Sequence, residues 1–162
     1  MNNLTHMPFN LPGNIYRSPM PFATFDEQSS TLDEYLHAKI KTVVMLTEPG
    51  EDVHYTQKDL KQVYNEKGMD VIHFPIVDFD TPDDLHELRV VLNQVLEKAN
   101  HGENIAVHCF AGRGRTGLFM ALLTRMVYGL EGREAIDWVR QYFPAVETSA
   151  QEQVVISFDL DG

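Results

Sequence analysis

Residues 105–117 read IAVHCFAGRGRTG, an apolar run followed by a glycine-rich segment. The first four residues are typical of a short buried strand. After the glycines, residues 118–128 form a mostly apolar run with the length of a helix, and Gly129 is placed to end it. This stretch therefore predicts a strand, a tight loop and a helix in direct succession.

The sequence on both sides alternates between runs typical of strands and runs typical of helices. Strands are predicted at residues 14–17 (a short edge strand), 42–46 and 71–74, and helices at 33–40, 57–67, 81–100, 133–143 and 149–158. The alternation predicts an α/β fold with a central, mostly parallel sheet of four to five strands flanked by helices. Residues 1–12 are interpreted as a flexible N-terminal extension and residues 13–162 as a single domain.

The composition excludes several classes of protein. Of the 162 residues, 43% are hydrophobic and 23% charged, which is typical of a globular domain rather than a disordered or fibrous one. The net charge of −11, from 13 Lys and Arg against 24 Asp and Glu, argues against nucleic acid or anionic membranes as partners. The single cysteine, Cys109, excludes an internal disulfide and a cysteine-based zinc site. No signal peptide is recognisable, so we expect a cytoplasmic protein, and we expect a monomer.

The loop after the apolar run contains the residue types that an anion-binding site needs. Gly112 and Gly114 allow the backbone to curl so that consecutive N–H groups face one point, and the helix that follows adds its N-terminal N–H groups. The guanidinium of Arg115 can hold two phosphate oxygens at once. The positive charge of Arg115 and the N–H groups of the loop favour the thiolate form of Cys109, which would be a nucleophile next to a bound phosphoryl group.

Two other interpretations of this loop are weaker. A cysteine is often only a small buried residue, but Cys109 is accompanied here by His108 and by several glycines. A nucleotide-binding loop of the Walker type requires Gly-Lys-Ser/Thr, whereas this chain has Gly114-Arg115-Thr116. A nucleotide-binding loop would also have no need of the cysteine.

The stretch HCFAGRGRTG at residues 108–117 resembles the signature loop HC-x5-R-[S/T] of the cysteine-dependent protein tyrosine phosphatase superfamily. Its late position in the chain is similar to that in small atypical dual-specificity phosphatases. The resemblance implies that Cys109 is the nucleophile, Arg115 binds the phosphoryl group and Thr116 assists the thiolate as a leaving group. It also implies that His108 orients the loop. The residues expected to bind the substrate phosphate are those of the loop itself: Phe110, Ala111, Gly112, Arg113, Gly114 and Arg115.

The same resemblance implies a general acid upstream of the loop. Residues 73–82, HFPIVDFDTP, are similar to the family's Pro-x-x-Asp-x-x-x-Pro loop, in which the aspartate is Asp78. Asp80 is the alternative, because it lies only two residues away. A calcium-binding loop that starts at Asp78 is excluded, since Asp83 stands where glycine is required and Arg89 where the last ligand is required.

A third element near the C-terminus, VETSAQ at residues 146–151, is similar to the segment in which larger family members carry two glutamines. Those two positions hold Glu147 and Gln151 in this chain. The resemblance implies that they position water, and for Gln151 a contact with the acid loop is the alternative. Because Glu147 replaces an amide, the hydrolysis half-reaction is expected to be slower or to be handled differently. The alternative interpretation of both residues is an exposed helix N-terminus.

The resemblance covers residues 13–158 and implies that this domain hydrolyses phosphate monoesters through a phosphocysteine intermediate, with no metal and no cofactor. Phosphotyrosine proteins are the expected substrates, with phosphoserine or phosphothreonine if the pocket is shallow. Two alternatives stay open: an inositol-phosphate or phosphoinositide phosphatase, which Phe110 and Arg113 raise, and a phosphate-binding pseudophosphatase. Phe79 and Phe110 are candidate walls of the pocket, and Arg17 is a candidate at its rim.

Overall fold

The fold is centred on five strands: β1 (Thr5–Met7), β2 (Ile15–Ser18), β3 (Ile40–Met45), β4 (Asp70–His73) and β5 (Asn104–His108). The structure, a computed structural model, describes residues 2–161. The strands form one sheet in the order β1-β2-β5-β3-β4, in which β1 pairs antiparallel with β2 and the other pairs are parallel. The predicted α/β class and mostly parallel sheet are therefore confirmed.

The described residues form seven helices: α1 (Thr31–His37), α2 (Glu51–Thr56), α3 (Leu60–Glu66), α4 (Leu85–Asn100), α5 (Gly114–Tyr128), α6 (Gly132–Arg140) and α7 (Ser149–Ser157). They pack on both faces of the sheet, because side chains alternate along each strand. Val44 and Val107 belong to the core formed with α4 to α7, whereas Val43 and Ala106 face α1 and α3. None of these helices is both long and apolar enough to cross a bilayer.

The start of α4 differs from its prediction. The sequence predicts a helix capped by Thr81, but α4 begins at Leu85. Asp84 is the N-cap residue, and its side chain accepts a hydrogen bond from a backbone N–H of the first turn at 2.9 Å. Thr81 donates its own backbone N–H to Asp80 Oδ1 at 2.8 Å, so the segment before the helix stays irregular. The acid-bearing loop is consequently longer than the sequence indicates.

Residues 2–12 do not form the flexible extension that their composition predicts. Thr5–Met7 pair with β2, and the side chains of Met7 and Phe9 are buried in the larger core. β2 is therefore an inner strand and not the expected edge strand. The physical reason is that this polar segment carries large apolar side chains, which leave water when the segment folds against the sheet. Met1 lies outside the described residues.

The carboxyl ends of the four parallel strands lie at one edge of the sheet. The loop with Cys109 leaves β5 at this edge, the loop with Asp78 leaves β4, and the turn into α2 leaves β3. In parallel α/β sheets, ligands bind at this edge because the connecting segments converge there. The topology therefore brings three distant parts of the chain to one place.

Candidate active site

The loop between β5 and α5, residues 109–113, is held by hydrogen bonds to its carbonyl groups. All five carbonyl oxygens accept at least one, and the donors are the ring of His108, the guanidinium of Arg17 and the backbone N–H groups of Met20, Gly117 and Val146. Within residues 2–161, the backbone N–H groups of residues 110–116 donate to no carbonyl of another segment. The loop therefore presents a series of free donors, which is the arrangement of an anion cradle.

Cys109 follows β5 directly and is 3% exposed. Its Sγ accepts a hydrogen bond from Thr116 Oγ1 at 3.1 Å, so the first turn of α5 contacts the sulfur. The sequence predicts that this helix begins near residue 118. In the structure α5 begins at Gly114, so its first turn includes Thr116. The positive end of the helix dipole consequently lies beside the sulfur.

Arg115 is almost completely buried, with 1% of its surface exposed. Its Nη1 and Nη2 donate to the two carboxylate oxygens of Glu51 at 2.8 and 2.9 Å, and Nη1 also donates to the carbonyl of Ile76 at 3.0 Å. Although burial by itself lowers the pKa of Arg115, the hydrogen bonds to Glu51 and the nearby negative charges raise it above its ordinary value. The buried Nε has no hydrogen-bond partner among the described residues, so one side of the guanidinium is free for a ligand.

Glu51 is the site residue that the sequence analysis missed. It is the first residue of α2, a short helix that was not predicted, and it lies 64 positions before its partner Arg115. A signal for it exists in hindsight, since a buried arginine requires a carboxylate and Glu51 follows β3 at the edge where the loop lies. The sequence contains 24 acidic residues, however, and local patterns do not distinguish this one from the others.

The two candidate acids occupy different surroundings. Asp78 Oδ1 lies 3.2 Å from Arg115 Nη2, and its side chain is 38% exposed. Asp80 instead accepts the backbone N–H of Thr81, and its carbonyl accepts a hydrogen bond from Gln151. Asp78 is thus the aspartate that the structure brings to the cradle. No three His, Cys, Asp or Glu side chains come together as a metal site in the described part of the chain.

His108 is fully buried next to the nucleophile candidate. Its Nδ1 lies 3.0 Å from the carbonyl of Cys109 and its Nε2 lies 2.8 Å from the hydroxyl of Tyr64. Burial lowers the pKa of His108 to about 4 and raises that of Tyr64 well above 10, so the imidazole is neutral and the phenol keeps its proton at neutral pH. Since a carbonyl only accepts, Nδ1–H donates to the carbonyl oxygen of Cys109, and Nε2 accepts from the hydroxyl of Tyr64.

Gln151 connects the acid loop to the N-terminus of α7. The side chain is fully buried: its Oε1 accepts the backbone N–H groups of Glu147 and Thr148, and its Nε2 donates to the carbonyl of Asp80 at 3.1 Å. Glu147 is exposed, and its carboxylate lies close to Gly114, where an added Cβ would come within 2.6 Å of Oε1. Only Glu147 of these two therefore has a free side chain near the cradle.

Aromatic side chains border the cradle on one side. The ring centroid of Phe110 lies 4.5 Å from that of Tyr55 and 5.9 Å from that of Phe25, and these three residues are called the aromatic rim below. The guanidinium of Arg113 lies 5.0 Å from the centre of the Phe25 ring. Phe79, the other predicted wall, follows Asp78 and is 60% exposed. Apolar and aromatic surface is thus available next to the anion site.

Glu51→Gln is expected to lower the free energy of unfolding by about 3 kcal/mol, because the buried guanidinium of Arg115 loses its main charge partner. The measurement is urea denaturation at neutral pH. The matched control is Glu152→Gln, since Glu152 pairs with Arg133 and Arg140 at the surface, where such pairs contribute about 1 kcal/mol or less. Equal losses in the two variants would contradict the special role of the buried pair.

His108→Asn is expected to flatten the dependence of stability on pH. Between about pH 4 and pH 6.5 the unfolded chain binds a proton at this histidine and the folded chain does not, so the free energy of unfolding of the wild type rises with pH over this window. The variant should lose this part of the rise, as measured by urea unfolding at several pH values. His86→Asn, at an exposed histidine, is the control and should keep it.

Comparison with known sequences gives a consistent result. A family model described as the DSP-PTPase phosphatase domain of Swiss Army Knife proteins (PTP-SAK) matches residues 17–155. The tyrosine-protein phosphatase cdc-14 of Caenorhabditis elegans is 28% identical over 76% of this chain. The mouse protein tyrosine phosphatase domain-containing protein 1 is 27% identical over 90% of it. The chain spans only 16% and 20% of the length of these two relatives.

Solved structures give the same fold. The active form of Tk-PTP is 32% identical, with a TM-score of 0.73 over 88% of this chain and 89% of that one. A kinase-associated phosphatase with its catalytic-site cysteine replaced by serine is 21% identical, with a TM-score of 0.85 over 96% and 92% of the two chains, and is similar in fold. With its signature loop, its buried arginine and these matches together, the chain belongs to the DSP-PTPase family of phosphatase domains.

Proposed function

We propose that this protein hydrolyses phosphate monoesters through a phosphocysteine intermediate and that phosphotyrosine proteins are its substrates. The observation that carries the proposal is the set of free donors around Cys109: the loop N–H groups and the buried, unpartnered Nε of Arg115. A phosphoryl group with its three oxygens on these donors would have its phosphorus next to the sulfur. The reaction needs neither a metal nor an organic cofactor.

The first half-reaction forms the phosphocysteine. The thiolate of Cys109 attacks phosphorus, a bond between sulfur and phosphorus forms, and the bond between phosphorus and the ester oxygen breaks. The leaving oxygen takes a proton from the carboxyl group of Asp78, which lies beside Arg115 at the cradle. Arg115 and the loop N–H groups stabilise the charge on the phosphoryl oxygens during the transfer.

The second half-reaction releases phosphate. Water attacks phosphorus and gives its proton to the carboxylate of Asp78, and the bond between sulfur and phosphorus breaks. The hydroxyl of Thr116, which donates to Cys109 Sγ at 3.1 Å, stabilises the departing thiolate. Gln151 is engaged on both ends of its amide, so we assign it to holding the acid loop and leave water positioning to Glu147.

The aromatic rim supports phosphotyrosine as the substrate. Phe110 and Tyr55 offer ring surfaces against which the phenyl ring of the substrate can pack, and Phe25 and Tyr55 are 40% and 52% exposed. A phosphoserine or phosphothreonine side chain would leave these surfaces unused. The net charge of −11 fits an enzyme that acts on proteins better than one that works at an anionic lipid surface. A monomeric state and a cytoplasmic location are part of the same proposal.

Soluble inositol phosphates are the second candidate substrates. Arg113 lies beside the cradle, and no carboxylate lies within 4 Å of its guanidinium in the described part of the chain. An unpaired guanidinium at this place favours a substrate with a further negative group. The carboxylate of Glu147, which lies close to Gly114 of the same loop, disfavours such a substrate.

The substrate class is tested by kcat/KM on a phosphotyrosine peptide, a phosphothreonine peptide and soluble inositol phosphates. We expect the highest value for phosphotyrosine and no turnover of any substrate by Cys109→Ser, which keeps the donors and so should still bind inorganic phosphate. A preference for inositol phosphates would replace the substrate class. Turnover by Cys109→Ser would contradict the covalent mechanism, and inactivity of the wild type on all substrates would indicate a pseudophosphatase.

The identity of the acid is tested with two neighbouring variants. Asp78→Asn should lower kcat by about 10²–10⁴-fold on aryl phosphates with poor leaving groups, because the leaving oxygen then receives no proton. On substrates with good leaving groups the loss should be much smaller. Asp80→Asn is the matched control and should stay close to the wild type, since the Asp80 carboxylate contacts the backbone of its own loop. The reverse pattern would assign the acid to Asp80.

A further inference from the structure

Arg17, at the carboxyl end of β2, contacts the cradle from outside. Its Nε donates to the carbonyl of Gly112 at 3.0 Å, and its Nη2 donates to the carbonyls of Ala111 and Gly112 at 2.9 and 2.8 Å. The guanidinium also lies 5.0 Å from the centre of the Phe143 ring. Arg17, which the sequence makes a candidate for the rim of the pocket, thus lies against the loop backbone.

The charge of Arg17 has no carboxylate partner. No acidic oxygen lies within 4 Å of its guanidinium in residues 2–161. Burial lowers the pKa of Arg17 to about 10, and the proximity of Cys109 is the strongest of the effects that oppose this. A partly buried cation without an ion pair is unfavourable unless other groups compensate for its lost hydration. Here the compensating groups are the carbonyls of two loop residues, Ala111 and Gly112.

The contact between Arg17 and the loop depends on a glycine. Gly112 has a φ of +76°, which glycine adopts without strain, and its carbonyl accepts two of the three hydrogen bonds. A Cβ on Gly112 would come within 2.3 Å of Arg17 Nη2 and of the carbonyl oxygen of Ser18. β2 and the loop thus approach so closely that only glycine fits between them.

We propose that Arg17 is a positioning residue, which turns the carbonyls of Ala111 and Gly112 away from the cradle so that the neighbouring N–H groups face the anion, and whose charge stabilises the thiolate of Cys109. The proposal rests on the proposed function for its biological meaning. Its physical content, the binding of an oxyanion and the state of the thiol, can be measured without any turnover.

Two variants separate the charge of Arg17 from its hydrogen bonds, and a third serves as the control. Arg17→Met removes both, and Arg17→Lys keeps the charge but cannot hold two carbonyls in the same geometry. The matched control is Arg125→Met. Arg125 also donates three hydrogen bonds to carbonyls, those of Leu130, Val155 and Phe158, but it lies near the far end of α5. Arg125→Met should therefore lower stability in a similar way without affecting the cradle.

The readout is the rate at which iodoacetamide alkylates Cys109 as a function of pH, with and without inorganic phosphate. The pH midpoint reports the thiolate, and the protection by phosphate yields a dissociation constant. For Arg17→Met we expect the midpoint to rise by about one pH unit and phosphate binding to weaken about tenfold. Arg17→Lys should restore the midpoint in large part but leave phosphate binding weak. Arg125→Met should change neither.

Two outcomes would overturn the proposal. One is a midpoint and a phosphate affinity in Arg17→Met equal to those of Arg125→Met, which would make Arg17 an ordinary structural arginine. The other is full recovery of phosphate binding by Arg17→Lys, which would show that the charge of Arg17 matters and its hydrogen bonds to the two carbonyls do not. If the wild type turns over no phosphoester but the variants behave as expected, the proposed function fails while the role of Arg17 holds.

Discussion

The guanidinium of Arg115 is buried at the edge of the sheet where β3, β4 and β5 end, and its charge has to be balanced there. Glu51 provides two carboxylate oxygens at 2.8 and 2.9 Å, and Asp78 provides a third at 3.2 Å. Because an unpaired buried charge would cost several kcal/mol, the packing of α2 and the acid loop against this arginine stabilises the folded chain. The same ion pairs leave Nε as the guanidinium nitrogen without a hydrogen-bond partner among residues 2–161.

The loop that carries Cys109 is shaped by the rest of the molecule. Its carbonyls accept hydrogen bonds from β2, from the segment after β2 and from the segment before α7, and its N–H groups are left over for an anion. Val146, one of the donors, has a φ of +65°, which is strained for a β-branched residue. Such a conformation persists because several contacts enforce it together, so the cradle is formed before any ligand arrives.

The acid loop is attached to the cradle from two sides. Asp78 contacts Arg115, and the carbonyl of Asp80 is held by the side chain of Gln151, which also caps α7. Movement of this loop would therefore have to break the hydrogen bond to Gln151 and the contact with the arginine together. Of the two roles that the resemblance offers for Gln151, positioning water or contacting the acid loop, the hydrogen bond to Asp80 favours the second.

The sequence by itself determined the α/β class and the order of most helices and strands, because these follow from local periodicity. It also singled out Cys109, Arg115, Thr116 and His108 as candidate site residues, through the resemblance of one short stretch. It could not find Glu51, whose partner Arg115 lies 64 positions away, or the contact of Arg17 with the carbonyl of Gly112, 95 positions away. Nor could it show that residues 5–7 join the sheet. These features depend on which buried charges and carbonyls meet once the sheet is assembled. Only tertiary packing, which acts between residues distant in the chain, decides them.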